Sequence, residues 1–201
     1  MTTDNDIFAG DAPHEILARW MSEAEGTEPG EPNAMALATV DATGLPDVRI
    51  VLMKACSAEG LEFYTNYESR KGAQLVASGK AAANFHWKGL KRQVRVRGTV
   101  TKVSPEVSDA YFASRPLGSR IGAWASRQSQ PLADRETLLD QVARAEKEHG
   151  TSPQRPPHWG GFLLTPSEFE FWADGEYRLH NRFRWAYDFG SKQWAITRLN
   201  P

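Results

Sequence analysis

The segment RQVRVRGTVTKV constrains this chain more than any other. Val94, Val96 and Val100 share one face of it, while Gln93, Arg95 and Arg97 share the other. That period of two makes the segment one wall of a half-buried sheet. Similar runs recur along the chain: MALATV and PDVRIVLMK flank the turn former DATG as a hairpin, followed by LEFYTN and AAANFHW. The C-terminal third returns to strand texture in GGFLL, EFEFW, EYRLHNRFRWAY and KQWAITRL, with turns at Asp174-Gly175 and Phe189-Gly190.

Helices punctuate these strands without alternating with them. Ile16, Leu17, Trp20 and Met21 form an apolar stripe over Pro13–Ala24, and the linker GTEPGEPN ends it. Ser69 is placed to cap a short helix through Val76. Ser104-Pro105 opens another helix, with Val107, Ala110 and Tyr111 at core spacing. A further helix runs from Asp134 to Glu148 with Leu138, Leu139 and Val142 inward, before Pro153, Pro156 and Pro157 mark an extended connection. No internal repeat is evident. The pattern predicts a mainly β chain with some α: an antiparallel barrel with attached helices, not a doubly wound sheet. Residues 1–34 read as a tail, helix and linker, and residues 35–201 as one domain.

Composition narrows the function classes. At 201 residues and 40% hydrophobic, the chain can bury one sizeable core. Twenty-four Lys and Arg oppose 25 Asp and Glu, so no global charge pulls it onto a polyanion or an anionic membrane. Cys56 is the only cysteine, which excludes an intrachain disulfide, a thiolate zinc cluster and a CxxC pair, and suits a reducing compartment. With no basic, apolar leader and no run near the ~18 to 20 apolar residues of a membrane span, the expectation is a soluble, cytoplasmic protein without a membrane partner.

The candidate chemistry centres on anions. Neither GxGxxG nor GxxxxGK[ST] occurs, which weakens a Rossmann or P-loop reading and leaves side chains, aided by a helix start, to hold a phosphate. Arg49 and Lys54 flank VLM, Arg70 and Lys71 open a helix, and Arg115 and Ser119 bracket a Pro-Leu-Gly bend. Each alone is usually solvated surface. Lys88, Lys91, Arg92, Arg95, Arg97 and Lys102 interleave with Phe85, His86 and Trp87, a stripe that resembles a nucleic-acid surface. The slightly acidic chain and the valine alternation favour a core strand there, and no nucleic-acid partner is expected. The histidines at 14, 86, 149, 158 and 180 form no metal-site spacing, and no metal is expected. Alternation through RLHNR puts Arg178, His180 and Arg182 on one face, a row that repels itself unless an anion or acidic neighbours face it. Ser126 and Ser129 lack a GxSxG setting, which argues against a hydrolase.

In order, RIVLMK, FYTN, SRKGAQ, FHW, RQVRVRG, YFASRP, SRIGAWASRQS, HWGGF, EFWADGEYRLHNR and WAITRLNP closely resemble the pyridoxine/pyridoxamine 5′-phosphate oxidase family of FMN-binding split barrels. The resemblance spans the chain from Met35 onward. It implies an antiparallel, Greek-key split β-barrel with peripheral helices, and an obligate homodimer with FMN at the subunit interface. Carried over by position, it implies that Arg49, Ile50, Val51, Leu52, Met53, Lys54, Tyr64, Thr65, Arg70, Lys71, Gln93, Gln128, Ser129, Trp172 and Arg182 surround FMN. Lys54, Tyr111, Arg115 and Ser119 match residues that hold the substrate phosphate, and Arg178 and His180 match the catalytic pair over the pyridine ring.

The implied reaction oxidises pyridoxine or pyridoxamine 5′-phosphate at C4′ by hydride transfer to flavin N5. O2 then reoxidises the flavin to give hydrogen peroxide, and the amine substrate releases ammonia. Independent physics agrees: a dianionic phosphate wants several charge-assisted donors, and a planar guanidinium at Arg178 suits a flat ring. Tyr111 and Arg115, four apart, are expected on one helix face. Asn181 stands where the family commonly has Asp, Met53 where it has Leu, and Glu31 matches a substrate-facing position. Two alternatives stay open: another split-barrel FMN-dependent reductase, or a non-catalytic FMN or pyridoxal phosphate binding protein.

Overall fold

The computed structural model describes residues 6–201, so the first five residues of the expected tail lie outside the described residues. A short 3-10 turn (Asp6–Phe8) and α1 (Pro13–Glu25) precede β1 (Ala34–Val40), β2 (Pro46–Cys56) and β3 (Leu61–Asn66). Then come α2 (Arg70–Ser78), β4 (Lys80–Trp87), β5 (Arg92–Lys102), α3 (Pro105–Ser114), α4 (Leu117–Ala125) and α5 (Arg135–His149). The chain ends with β6 (Trp159–Ala173), a second 3-10 turn (Glu176–Arg178), β7 (Asn181–Asp188) and β8 (Gln193–Leu199).

The strands lie in the order β3-β2-β1-β4-β5-β6-β7-β8, and β3 also pairs with β6. That last pairing closes six antiparallel strands into a barrel, and the run β4-β1-β2-β3 within it is a Greek key. Strand β6 makes the closure possible because its two halves have different neighbours. Trp159–Leu164 pairs with β3, Glu168–Ala173 pairs with β7, and β5 lines the other edge from Phe162 to Ala173. The changeover falls at Pro166, which has no N–H to give a ladder. There the β5 register slips between Arg97 and Gly98, and a Cβ on Gly98 would stand 1.9 Å from the Thr165 carbonyl oxygen. Only glycine permits that approach.

Alternation along β5 appears as expected, with Val94 and Val96 fully buried and Arg95 and Arg97 outside. The barrel interior is filled by Phe63, Phe85, Phe162, Phe169 and Phe171 with Met35 and Leu37. Helix α1 closes one side of this core: Ile16, Leu17 and Trp20 are fully buried, and Trp20 meets Phe171 edge-on at 5.4 Å.

Four local expectations need correction. GGFLL and EFEFW are parts of one strand, β6, because β5 supports it continuously through the slip. EYRLHNRFRWAY becomes a strand only at Asn181, since Tyr177 and Arg178 have φ of 55° and 65°, which no strand accommodates. Arg178 and His180 therefore lie in a turn, not on a strand face. Helix α3 buries Ser108 and Phe112 instead of Val107, Ala110 and Tyr111, because Phe112 seats edge-on to Trp159 at 5.2 Å and the Gly161 N–H donates to Ser108 Oγ at 3.2 Å. Leu139 is exposed, and α5 rests on α4 through Ala145 and Val142.

Among the described residues, no helix is long and apolar enough to cross a membrane, and no group of three or more His, Cys, Asp or Glu could hold a metal ion. Cys56 is half-buried, and burial pushes its thiol up to about 11.

Candidate active site

A cleft of about 750 Å³ opens where β2, β3, α4 and the start of β6 meet. Its lining includes Ile50, Val51, Leu52 and Lys54 from β2, with Tyr64, Thr65 and Asn66 from β3. Lys71, Tyr111, Arg115, Ser119, Gln128 and Trp159 complete the polar and aromatic wall, with Glu31 at the edge. Lys54, Lys71 and Arg115 thus face one carboxylate among the described lining residues, a balance that favours an anion.

An aromatic stack forms the floor. Tyr64 and Tyr111 stack at 3.9 Å between ring centroids, and Trp159 lies nearly parallel to both at 5.6 and 6.2 Å. The Arg115 guanidinium sits over the Trp159 ring at 4.5 Å. Sequence dictates this arrangement through two glycines. Gly161 pairs directly with Tyr64 across the β3–β6 ladder, and a Cβ there would come within 2.7 Å of the Tyr64 ring. A Cβ on Gly160 would likewise strike the Tyr67 hydroxyl at 2.0 Å. Burial, aided by the Glu62 carboxylate, pushes the Tyr64 phenol well above its ordinary range, so it stays a neutral donor to Glu62 Oε2 at 3.1 Å.

Helix α2 carries the second cation into the cleft. Ser69 caps it by accepting from the Gly72 N–H, which sets the first turn so that Lys71 turns inward while Arg70 stays exposed. Lys71 Nζ donates to Gln128 Oε1 at 2.9 Å and Thr65 Oγ1 at 3.1 Å. Burial, and then the Arg49 charge, lowers the Lys71 ammonium below its ordinary value. Arg49 itself is held by the Thr39 hydroxyl at 2.6 Å and the Asp47 carboxylate at 2.7 Å.

Arg115 differs from expectation in one respect. It follows the last residue of α3 with an extended backbone, so it meets Tyr111 through the turn and the Trp159 platform, not through helical spacing. Its Nη1 is buried without a hydrogen-bond partner among the described residues, and burial lowers its pKa. The Pro-Leu-Gly bend expected between Arg115 and Ser119 is instead the first turn of α4. An orphaned, buried guanidinium nitrogen in the same cleft as Lys54 and Ser119 fits a phosphate group, because charge-assisted donors are costly to bury without an acceptor.

The remaining predicted residues gather elsewhere. Across three strands, Gln93 pairs with Trp172 and Trp172 with Arg182, so three residues far apart in sequence form one row. The His180 ring lies 4.7 Å from Trp172. Its Nδ1 is 3.2 Å from the Gly175 nitrogen and 3.1 Å from Asp174 Oδ1, so without a hydrogen it accepts from the Gly175 N–H and with one it donates to Asp174. Arg178 is exposed in the neighbouring turn. This row is not part of the cleft lining: along β6, the distance from Trp159 to Trp172 at ~3.3 Å per residue is roughly 40 Å of extended chain. Met53 points into the core, and Ser129 is exposed with φ of 71°.

Sequence reasoning assigned no role to Trp159, Asn66 or Glu170. An aromatic residue preceding two glycines was the available signal for Trp159. Asn66 and Glu170 lay inside ordinary strand patterns and offered none.

Residues 22–149 match the family model "Pyridoxamine 5'-phosphate oxidase", and residues 159–201 match "Pyridoxine 5'-phosphate oxidase C-terminal dimerisation region". A pyridoxine/pyridoxamine 5′-phosphate oxidase of Cereibacter sphaeroides is 58% identical over 97% of this chain and 98% of its own. One of Paracoccus denitrificans is 60% identical, with both chains fully covered. Among solved structures, PhzG from Burkholderia lata, in complex with tetrahydrophenazine-1-carboxylic acid, superposes with a TM-score of 0.91 at 30% identity, covering 100% of this chain and 98% of that one. A pyridoxamine 5′-phosphate oxidase-related, FMN-binding protein of Nostoc punctiforme shares the fold, with a TM-score of 0.76 at 17% identity over 96% of this chain and 100% of its own. With family models covering most of its length and relatives near 60% identity over nearly all of it, this chain belongs to the pyridoxamine 5′-phosphate oxidase family.

Proposed function

We propose that this protein oxidises pyridoxine 5′-phosphate and pyridoxamine 5′-phosphate to pyridoxal 5′-phosphate, with O2 as acceptor, and releases ammonia from the amine. The observation that carries this reading is the cleft in which Lys54, Tyr111, Arg115 and Ser119 converge beside Tyr64, Thr65, Lys71 and Gln128. The first four offer a phosphate two cations and two hydroxyls, and the orphaned Arg115 Nη1 is the donor most in need of it. Lys71, Thr65 and Gln128, with Arg49 and Arg70 near the α2 start, suit a second phosphate, that of FMN. Held by these residues, FMN would supply the two-electron redox chemistry that links the substrate to O2.

The protein's own task is to orient and polarise. Ile50, Val51 and Leu52 give a β2 wall for a flat ring system, to which the core-facing Met53 adds only its backbone, with Ser129 alongside Gln128. Arg178 lays its planar guanidinium on the pyridine ring and stabilises negative charge on the ring hydroxyl, while His180 holds that hydroxyl in line. Gln93, Trp172 and Arg182 complete the flavin surface. Because their row lies far along β6 from the cleft, a second copy of the chain is the natural source of it, which makes the working unit a homodimer with shared sites. The family match to a C-terminal dimerisation region supports that reading.

The deciding experiment is anaerobic addition of pyridoxine 5′-phosphate to purified, FMN-loaded protein while the flavin band is followed. Bleaching, then recovery in air, is expected. A flavin band that persists with both phosphorylated substrates would exclude the proposed oxidation and point to a different substrate or to a binding role.

A further inference from the structure

The outer face of β5, β6 and β7 holds a carboxylate that neither the cleft nor the proposed chemistry uses. Glu170 is 6% exposed, on a strand otherwise buried by aromatic residues. Its Oε1 accepts from Arg182 Nε at 3.0 Å and Arg182 Nη2 at 2.8 Å, and its Oε2 accepts from Arg95 Nη1 at 2.9 Å. Arg182 Nη1 donates in turn to the Asn200 carbonyl at 3.0 Å. Three of the five guanidinium N–H groups are thus engaged inside the protein, on two anchors, and the plane of Arg182 is fixed before any ligand arrives.

The surroundings say what this fixing is for. Glu170 lies two residues before Trp172 on the same face of β6, and Trp172 is flanked in register by Gln93 and Arg182. A buried carboxylate is expensive unless paired, and simple neutralisation of the face would be served by Arg184, its direct partner across the β6–β7 ladder. Glu170 instead reaches diagonally to Arg182, and Arg184 Nε is left buried without a partner among the described residues. Glu170 thus pairs with its direct β5 partner Arg95, but on the β7 side it passes over its direct partner Arg184 for a two-pronged hold on Arg182.

We propose that Glu170 is a positioning residue for the flavin subsite of Gln93, Trp172 and Arg182: its carboxylate presets the plane of Arg182 so that the remaining N–H groups meet the bound cofactor without reorganisation. This rests on the reading above that the row contacts FMN. Glu170 acts through Arg182, so its effect on cofactor binding must vanish when Arg182 is absent.

The test is a double-mutant cycle on FMN affinity, read by quenching of flavin fluorescence, with the thermal midpoint of each apoprotein measured alongside. Glu170→Gln and Arg182→Ala are each expected to raise the FMN Kd by about tenfold, and the double variant to be no weaker than Arg182→Ala alone. Glu170→Asp, which keeps the charge but retracts it, should fall between wild type and Glu170→Gln, and it replaces the latter if that variant does not fold. Multiplying effects in the double variant, or an unchanged Kd with only a lowered midpoint, would overturn the proposal and leave Glu170 a structural ion-pair residue. Wild-type protein that does not quench flavin fluorescence would overturn the flavin reading itself, and this proposal with it.

Discussion

Gly161 lies directly opposite Tyr64 in the β3–β6 ladder, and the missing side chain is the space in which the Tyr64 ring rests. A Cβ there would come within 2.6 Å of Val103 Cγ2 as well as 2.7 Å of the tyrosine. Gly161→Ala is expected to cost ~1–3 kcal/mol of stability by overpacking. It should also raise KM, because Tyr64 must swing into the cleft. Denaturant unfolding and steady-state kinetics check both, and a variant of wild-type stability and KM would show that the ring has room elsewhere.

Trp159 supports Tyr111 and Arg115 from below, so its loss should be felt in substrate binding. Cation–π and stacking contacts of this kind contribute roughly 0.5–2 kcal/mol each. Trp159→Leu is therefore expected to raise KM for pyridoxine 5′-phosphate by about tenfold with a smaller change in kcat, and Trp159→Phe to recover part of it. Equal losses in kcat and KM for Leu and Phe would point to general disruption of β6 instead.

Arg178 and Lys71 should separate turnover from cofactor retention. Arg178→Ala is expected to lower kcat/KM per bound flavin while flavin content stays near wild type, since its proposed partner is substrate. Lys71→Ala, and more weakly the exposed Arg70→Ala, should lose flavin instead. Flavin absorbance per protein, set against kcat/KM, gives the comparison. Loss of flavin from Arg178→Ala with full activity per flavin would reverse the assignment.

Lys71 also predicts a pH dependence. Burial and the Arg49 charge lower its pKa in the free protein from the ordinary 10.5, so it loses its proton at a lower pH than a solvated lysine. A bound phosphate favours the protonated form, and FMN affinity should fall as pH rises through that lowered value, before 10.5 is reached. Lys71→Arg should flatten the profile over the same range, because a guanidinium stays charged. Parallel profiles for the two proteins would remove Lys71 from the phosphate site.

Separation of the cleft from the Gln93–Trp172–Arg182 row predicts complementation between copies. Lys71→Ala and Trp172→Ala proteins, each impaired alone, are expected to regain activity when mixed and allowed to exchange subunits. In a dimer with shared sites, one mixed site would then carry neither defect. Activity that never exceeds the sum of the separate proteins would place both groups in a single protomer's site.

Much of this molecule is written locally. The alternation of Val94 and Val96, the hairpin through Asp41 and the cap at Ser69 depend on period and near-neighbour hydrogen bonds, and each is readable without a partner strand. The motifs SRKGAQ, WGGF and RLHNR carry the resemblance to the family, because they hold residue types that a bare barrel does not require. What the chain alone could not reveal depends on long-range register. The turn at Tyr177–Arg178 takes Arg178 and His180 off the strand, because its left-handed backbone interrupts the pattern that the side chains otherwise follow. The cleft depends on Tyr64, Tyr111 and Trp159 meeting from β3, α3 and β6, and the second row on Gln93, Trp172 and Arg182 aligning across β5, β6 and β7. Sequence by itself determined the strands, the caps and the inventory of cations. Barrel closure through β6, and the slip at Gly98 that lets it change partners, decided which of those residues face one another, because contacts between distant segments are set by packing and register that no local pattern contains.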